Sequence, residues 1–259
     1  MAFKEIFPKI LLFLTIGTLI AFSSLSAKKE SREEQLAQQK LLQAQVEEKN
    51  YLMGKFEPAE REDFIHIPIK YTIGENGKYL RQEAWDAFLK MHDQAEQDGI
   101  KLKIVSATRN FDYQKDIWEN KWKNFSADIP DELMRFKKIL EWSSVPGTSR
   151  HHWGTDIDIN NTNILYFQEE KGTREYIWLV QNAPTFGFCQ PYNFKNGFRT
   201  TGYNEERWHW SYLPIARELT QKYKNSIKEE DINGFLGEKF VPGQNLIDDY
   251  VLGINPDCL

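Results

Sequence analysis

Residues 149–158, with the sequence SRHHWGTDID, place two histidines, a glycine and two aspartates within ten positions. About fifty residues further on, residues 206–209 read ERWH, so a glutamate stands three positions before another histidine. Two imidazoles and one carboxylate, with a glutamate that does not ligate, are the side chains of a catalytic zinc site that keeps one coordination position open. The two stretches therefore predict one metal site, with the rest of the chain as scaffold and substrate cleft.

The spacing around Gly154 predicts how the first stretch folds. A turn centred on this glycine lets the chain return, so that a histidine before the turn meets an aspartate after it. Beyond the turn, Asp156 and Asp158 alternate with two isoleucines. In a strand, this alternation puts both carboxylates on one face and both isoleucines in the core.

Several roles stay open at this level. His151 and His152 compete for the ligand position, and on a strand-like backbone two neighbours point in opposite directions, so only one of them faces the metal. Asp156 is either a partner that orients a ligand or a solvated carboxylate. Glu206 is the candidate general base, with the adjacent Glu205 as the alternative.

Length and composition favour one sizeable catalytic domain and argue against nucleic acid as the main partner. The 259 residues are 41% apolar and 14% aromatic, enough to bury a substantial core. The formal net charge is −5, and no basic stripe is present to neutralise phosphates. A monomer is the favoured state.

The N-terminal residues 1–27 are typical of a secretory signal peptide or an N-terminal membrane anchor. Lys4 and Lys9 precede an apolar run at residues 10–22, and small residues follow it. The run is shorter than the roughly 20 residues that span a bilayer. Both interpretations predict export to the periplasm or cell envelope. The predicted segments that follow are a charged helical spacer at 28–50, a catalytic domain at 51–225 and a C-terminal extension at 226–259.

Periodicity predicts the elements that flank the central stretch. Residues 79–98 repeat apolar side chains at three- and four-residue steps and predict a helix that ends before Gly99. Residues 101–106 alternate as a strand and lead into Arg109 and a helix that carries Gln114. Further predicted elements are helices at 176–180 and 214–222, and a strand or helix at 208–210.

The remaining histidines and cysteines carry no assigned chemistry. His66 and His92 are interpreted as surface or half-buried residues rather than ligands. Cys189 and Cys258 either pair in an oxidising compartment, which would pin the C-terminus, or remain free thiols. Arg109, at a strand-to-helix junction, can offer its planar fork to a substrate carboxylate or form a structural salt bridge.

Three motifs resemble those of the zinc D-alanyl-D-alanine carboxypeptidases, which include the vancomycin-resistance D,D-carboxypeptidases and D,D-dipeptidases and related L,D-carboxypeptidases. Residues 149–158 resemble the family's Ser-x-His-x-x-Gly-x-Ala-x-Asp signature, with Asp156 in place of Ala. Residues 206–209 resemble its Glu-x-x-His signature, and residues 106–114 resemble its Ser-Gly-Tyr-Arg…Gln segment, with Ala and Thr in place of Gly and Tyr. The resemblance covers roughly residues 51–223.

This resemblance implies a role for each residue of the three motifs. The implied zinc ligands are His151, Asp158 and His209. Glu206 is the implied catalytic base, and Arg109 would polarise the scissile carbonyl or hold the substrate carboxylate. The implied residues of the substrate pocket are Ser149 and Gln114.

The resemblance also implies a fold and an activity. The fold is α+β, a single small antiparallel-sheet domain with flanking helices, like that of D,D-peptidases and the hedgehog signalling domain, with zinc in a cleft on the sheet. The activity is zinc-dependent hydrolysis of the terminal D-Ala peptide bond of a peptidoglycan stem peptide. The alternatives are an L,D-carboxypeptidase, a D,D-dipeptidase or a cell-wall endopeptidase. A zinc-containing module that binds the cell wall without catalysis is the alternative from another class, because a fold alone does not fix function.

Overall fold

The computed structural model describes residues 32–74 and 76–259. The predicted signal or anchor at residues 1–27 lies outside the described residues. The chain divides into two compact units, Met1–Glu48 and Lys49–Leu259. In the first unit, residues 32–48 are helical, and the side chains of residues 32–47 are exposed. Within the part of the chain that the structure describes, no helix is long and apolar enough to span a bilayer.

The second unit combines helices with short strands. The helices are α1 (Gln82–Gln97), α2 (Phe111–Asn124), α3 (Glu132–Leu140), α4 (Glu170–Asn182) and α5 (Leu213–Ser226). The strands are β1 (Phe64–His66), β2 (Tyr79–Arg81), β3 (Ile104–Ser106), β4 (Asp156–Ile159), β5 (Phe188–Cys189) and β6 (His209–Tyr212). A short 3-10 helix, Arg150–Trp153, lies within the central motif.

A side-chain cap fixes the start of the helix that borders the site. Asn110 precedes α2, and its side-chain oxygen accepts a hydrogen bond from the backbone N–H of Tyr113 at 2.9 Å. The helix therefore begins at Phe111, two residues after Arg109. This places the arginine at the junction between β3 and α2, as the sequence predicts.

The strands form two small antiparallel sheets. β1 pairs with β2, and the main sheet has the order β3-β4-β6-β5 with antiparallel neighbours throughout. In the register between β4 and β6, Asp158 lies opposite His209 and Asp156 lies opposite Ser211. The mixed helix and sheet content confirms the expected α+β class with small antiparallel sheets and flanking helices.

The strands β4 and β6 divide their side chains between a core face and a site face. Ile157, Ile159 and Trp210 are buried in an apolar cluster with side chains of α1. The alternating positions Asp158 and His209 point to the opposite face, where they line a cleft. The predicted alternation of carboxylates and isoleucines is therefore confirmed.

Residues 226–259 pack against the body of the second unit. Ile232 and Phe235 join a second buried cluster, which also contains Trp118 of α2. Near the end of the chain, Cys258 forms a disulfide with Cys189 of β5. The structure therefore shows the paired state of the two cysteines, which attaches the C-terminal segment to the edge of the main sheet.

Three local predictions are wrong. Residues Tyr79–Arg81 form β2 rather than the first turn of a helix, because their backbone pairs with β1, a partner that local periodicity does not reveal. β3 begins only at Ile104, because the backbone N–H and C=O of Lys103 bond to Asn160 instead, at 2.7 and 2.8 Å. Residues 150–153 form a 3-10 helix rather than a strand-like backbone.

The isolated histidines have structural environments. His92 is only 6% exposed, deeper than a surface or half-buried residue, and its ring meets that of Tyr71 edge to face at 4.9 Å. His66 is exposed on β1 beside the Tyr79 ring. At residues 208–210, where the sequence allows strand or helix, the structure shows a strand from His209 onward.

Candidate active site

Three buried side chains each bring one ligand atom to a common point. Oδ1 of Asp158 lies 3.3 Å from Nε2 of His151 and 3.3 Å from Nδ1 of His209. Ligand atoms of all three residues lie within 4.8 Å of one another. The two imidazole rings meet edge to face with their centroids 4.6 Å apart. The structure thus brings together the three residues that the resemblance assigns to zinc.

A turn and a strand register produce this convergence. Gly154 has a φ of +72°, and a β-carbon there would lie 2.3 Å from the ring of Phe64, so the position requires glycine. This glycine ends the 3-10 helix that carries His151 and turns the chain into β4. The antiparallel register then sets Asp158 opposite His209 of β6.

The donor set fits a zinc ion. Ligand atoms about 2.0–2.2 Å from a tetrahedral ion lie roughly 3.3–3.6 Å apart. This separation matches the 3.3 Å between Oδ1 of Asp158 and each imidazole nitrogen. Among the described residues, the buried Oδ1 of Asp158 accepts no hydrogen bond. Burying a carboxylate oxygen without a donor is costly unless a cation compensates it.

Asp156 contacts Nε2 of His209, the ring nitrogen that does not face Asp158. Its Oδ2 lies 2.8 Å from Nε2 of His209 and accepts a hydrogen bond from Nε of Arg150 at 3.2 Å. Its Oδ1 accepts one from the Ser211 hydroxyl at 2.8 Å. Because Nε2 of His209 is engaged, Nδ1 is left to face Asp158. The side chain of Asp156 is fully buried, which favours the orienting role and excludes a solvated carboxylate.

Carboxylates surround the ring of His209. Burial alone would lower the pKa of this imidazole, but the adjacent carboxylates of Asp156, Asp158 and Glu206 raise the pKa well above its usual value. Three carboxylates around one ring create a field that attracts positive charge. The same field favours a bound divalent cation.

The structure distinguishes the two adjacent histidines. Nδ1 of His151 lies 2.7 Å from the Ala107 carbonyl, so Nε2 faces the metal position, where Nη2 of Arg109 also approaches it at 3.2 Å. His152 uses both of its ring nitrogens elsewhere. Its Nδ1 lies 2.7 Å from the Arg109 carbonyl, and its Nε2 accepts the N–H of Gly147 at 3.1 Å. Burial lowers the pKa of His152 to about 3, as expected for a neutral structural residue.

Glu206 reaches the same centre from the loop before β6. Its Oε2 lies 3.4 Å from Nδ1 of His209, and its backbone N–H donates to the Tyr192 carbonyl at 2.8 Å. Burial raises the pKa of this carboxyl group. Glu205, the alternative base, pairs instead with Arg207 at 3.4 Å and does not line the cleft. The geometry therefore favours Glu206.

Arg109 is anchored by all three of its nitrogens. Nη2 donates to Oδ2 of Asp158 at 2.5 Å, Nε to the Ser106 hydroxyl at 2.9 Å, and Nη1 to Oε1 of Gln114 at 3.2 Å. Gln114 is itself buried and donates to the Ser144 carbonyl at 2.9 Å. Arg109 lines the cleft but Gln114 does not. The structure therefore places Gln114 behind Arg109, where it supports the guanidinium rather than lines the substrate pocket.

The centre opens into a cleft of about 350 Å³. α2 contributes Tyr113, Ile117 and Lys121 to one wall, and Trp142 lies on the loop that follows α3. Ser149 also lines the cleft. Among the described residues, its buried hydroxyl has no hydrogen-bond partner. This hydroxyl is therefore available to a substrate, consistent with the pocket role that the resemblance implies.

Sequence reasoning missed two cations of the site. Lys121 follows Tyr113 and Ile117 at four-residue steps, and this spacing alone could have placed the lysine on the same helix face. Arg150 is buried and bonds Asp156. A sequence offers no sign that an arginine next to a predicted ligand lies on the inner side of the site, so only the fold reveals it.

Comparison with known proteins gives concordant results. A family model described as VanY, D-alanyl-D-alanine carboxypeptidase, matches residues 77–215. The YodJ protein of Bacillus subtilis (strain 168), named as a carboxypeptidase, is 32% identical over 174 residues, which cover 66% of this chain and 59% of YodJ. A D-alanyl-D-alanine carboxypeptidase of Enterococcus faecalis is 27% identical over 171 residues, which cover 64% of this chain and 62% of that protein. The chain thus spans about three-fifths of the length of these two relatives.

A solved structure supports the fold. The structure of the LdcB LD-carboxypeptidase superimposes with a TM-score of 0.50 and 27% sequence identity. The superposition covers 68% of this chain and 81% of that one. The mixed helix and sheet architecture described above is therefore also that of a peptidoglycan-directed carboxypeptidase.

Proposed function

The chain belongs to the VanY family of D-alanyl-D-alanine carboxypeptidases, and on this basis we propose that it is a zinc-dependent carboxypeptidase that releases the terminal D-alanine from peptidoglycan stem peptides. The observation that carries the proposal is the convergence of His151, Asp158 and His209 with Glu206 beside them. Such a donor set, with a carboxylate next to the open side, suits hydrolysis of a peptide bond. The composition of residues 1–27 supports an exported, envelope-associated location.

Each side chain of the cleft is proposed to have a separate role in hydrolysis. His151, Asp158 and His209 would hold a zinc ion, which would supply Lewis-acid activation of water. Glu206 is positioned to take a proton from the attacking water and deliver it to the leaving amine. Beyond its four protein contacts, Arg109 keeps one N–H of Nη1, which can stabilise negative charge on the scissile carbonyl oxygen. The Ser149 hydroxyl can position the substrate.

A digest of defined muropeptides tests the proposal. Purified full-length protein, stripped with a chelator and reloaded with zinc, is incubated with tri-, tetra- and pentapeptide stems, and the products are identified by mass spectrometry. The expected result is zinc-dependent loss of one D-alanine from the pentapeptide. Release of D-alanine from the tetrapeptide would instead identify an L,D-carboxypeptidase, release of a dipeptide a D,D-dipeptidase, and internal cleavage an endopeptidase. Stoichiometric zinc without cleavage would favour a non-catalytic wall-binding module.

A further inference from the structure

We propose that Lys121 binds a carboxylate of the stem peptide, in the first place the C-terminal carboxylate next to the scissile bond. This assignment rests on the proposed function and deepens it. It would make Lys121 the residue that selects a free C-terminus over an internal peptide bond, a choice that the zinc centre alone does not make.

The helix α2 aims this lysine into the cleft. Tyr113, Ile117 and Lys121 follow one another at four-residue steps and line the cleft together. On the neighbouring face of the helix, Gln114 and Trp118 are buried. The position of Lys121 is therefore fixed by the helix α2, which begins at Phe111.

Lys121 has donors to spare. Its ammonium group donates to the hydroxyl of Ser143, which leaves two of its three N–H donors. Within residues 32–74 and 76–259, it forms no ion pair with any carboxylate. Lys121 is half-buried, so its ammonium group is partly removed from water, and this burial lowers its pKa. A partly desolvated cation without a carboxylate partner is stabilised when an anionic ligand binds.

The position of the scissile bond points to the C-terminal carboxylate. Glu206 is placed to protonate the leaving amine, and in a carboxypeptidase substrate a single carbon separates that amine from the terminal carboxylate. The carboxylate therefore binds near Glu206, whose charge acts on Lys121. Arg109 and Arg150 also line the cleft, but both are already engaged. Arg109 bonds Asp158 and Gln114, and Arg150 bonds Asp156 and Ser211. Lys121 is thus the better placed partner.

A cycle that combines protein and substrate changes tests the assignment. Wild type, K121M and K121Q are compared on a stem peptide with a free C-terminus and on the same peptide as its C-terminal carboxamide. For the free carboxylate, kcat/KM should fall about 10- to 100-fold in both variants, mainly through KM, since a charged hydrogen bond is lost. For the carboxamide, kcat/KM of both variants should equal that of the wild type. K121R should retain a higher kcat/KM for the free carboxylate than K121M or K121Q, because arginine keeps the positive charge.

Two controls separate binding from a general effect on the helix. Lys123 is exposed on the same helix, so K123M removes an equal charge outside the cleft and should leave all constants unchanged. A third peptide, with any internal side-chain carboxylate amidated, distinguishes the two sources of the ligand. If the K121M defect disappears with this peptide but persists with the C-terminal carboxamide, the lysine contacts the internal carboxylate.

Affinities measured in the E206Q background decide the matter without turnover. By isothermal titration calorimetry, K121M should weaken binding of the carboxylate peptide by a factor similar to the fall in kcat/KM. It should leave the affinity for the peptide that lacks the contacted carboxylate unchanged. Equal affinity of E206Q, with Lys121 intact, for all three peptides would overturn the assignment. An equal loss of affinity for all three peptides on addition of K121M would overturn it as well. A wild type that binds these peptides with Lys121-dependent selectivity but cleaves none of them would overturn the proposed function alone.

Discussion

Oδ2 of Asp156 lies 2.8 Å from Nε2 of His209, although the two residues are 53 positions apart in the chain. The same carboxylate is held by Arg150 and Ser211, so the imidazole is fixed from its buried side. A ligand histidine held in this way keeps one tautomer and one ring orientation. Asp156 stands where the family signature has alanine, and its structural role here is to orient His209.

D156N should weaken zinc binding about 10- to 100-fold, because loss of the carboxylate leaves His209 less firmly oriented and less basic. It also leaves Arg150 buried without its charge partner. Zinc affinity is measured by competition with a chromophoric chelator. S211A removes one neutral donor to Asp156 and one acceptor of Arg150 but keeps the carboxylate, so it should have a smaller effect. Wild-type zinc affinity in D156N would show that this contact does not orient the ligand.

E206Q should retain one zinc per chain and lose roughly 10²–10⁴-fold in kcat, the contribution expected of a general acid–base. Zinc content is measured by mass spectrometry of the metal and turnover by release of D-alanine. E205Q is the matched control, because Glu205 pairs with Arg207 away from the cleft, and its turnover should stay near that of wild type. Near-normal kcat in E206Q would remove Glu206 from the mechanism.

G154A should destabilise the protein by about 2–3 kcal/mol, because the left-handed backbone disfavours a side chain and the new β-carbon would collide with Phe64. Zinc affinity should fall as well, since this turn joins His151 to Asp158. Gly99 has a similar φ of +76° but open space around it, so G99A should lose only about 1 kcal/mol. Chemical denaturation measures both variants, and equal losses would rule out the collision.

Removal of the disulfide between Cys189 and Cys258 should lower the free energy of unfolding by about 2–4 kcal/mol, because the bond closes a loop with a sequence separation of 69 residues. Denaturation of the wild type is compared with and without a thiol reductant. The double variant C189S/C258S should start from the lower stability and show no response to the reductant. A wild type whose stability is indifferent to reduction would contradict the expected contribution.

Much of the candidate site could be predicted from residues 149–158 and 206–209 because its chemistry is local. The ligand types, the turn at Gly154 and the alternation of β4 all depend on residues that are neighbours in sequence. By contrast, local periodicity predicts a helix where the structure has β2, since the partner strand β1 lies outside any local window. The choice between His151 and His152 also needed the distant carbonyls of Ala107 and Arg109.

The sequence by itself determined the kind of chemistry: which side chains can hold a cation, which carboxylate can move a proton, and which residues alternate toward the core. Only the tertiary structure decided which of these groups meet. In the fold, Asp156 is buried against His209, Gln114 lies behind Arg109, and Lys121 lines the cleft. The physical reason is that periodicity and spacing act over a few residues, whereas strand register and burial of the core join segments that are far apart in the chain.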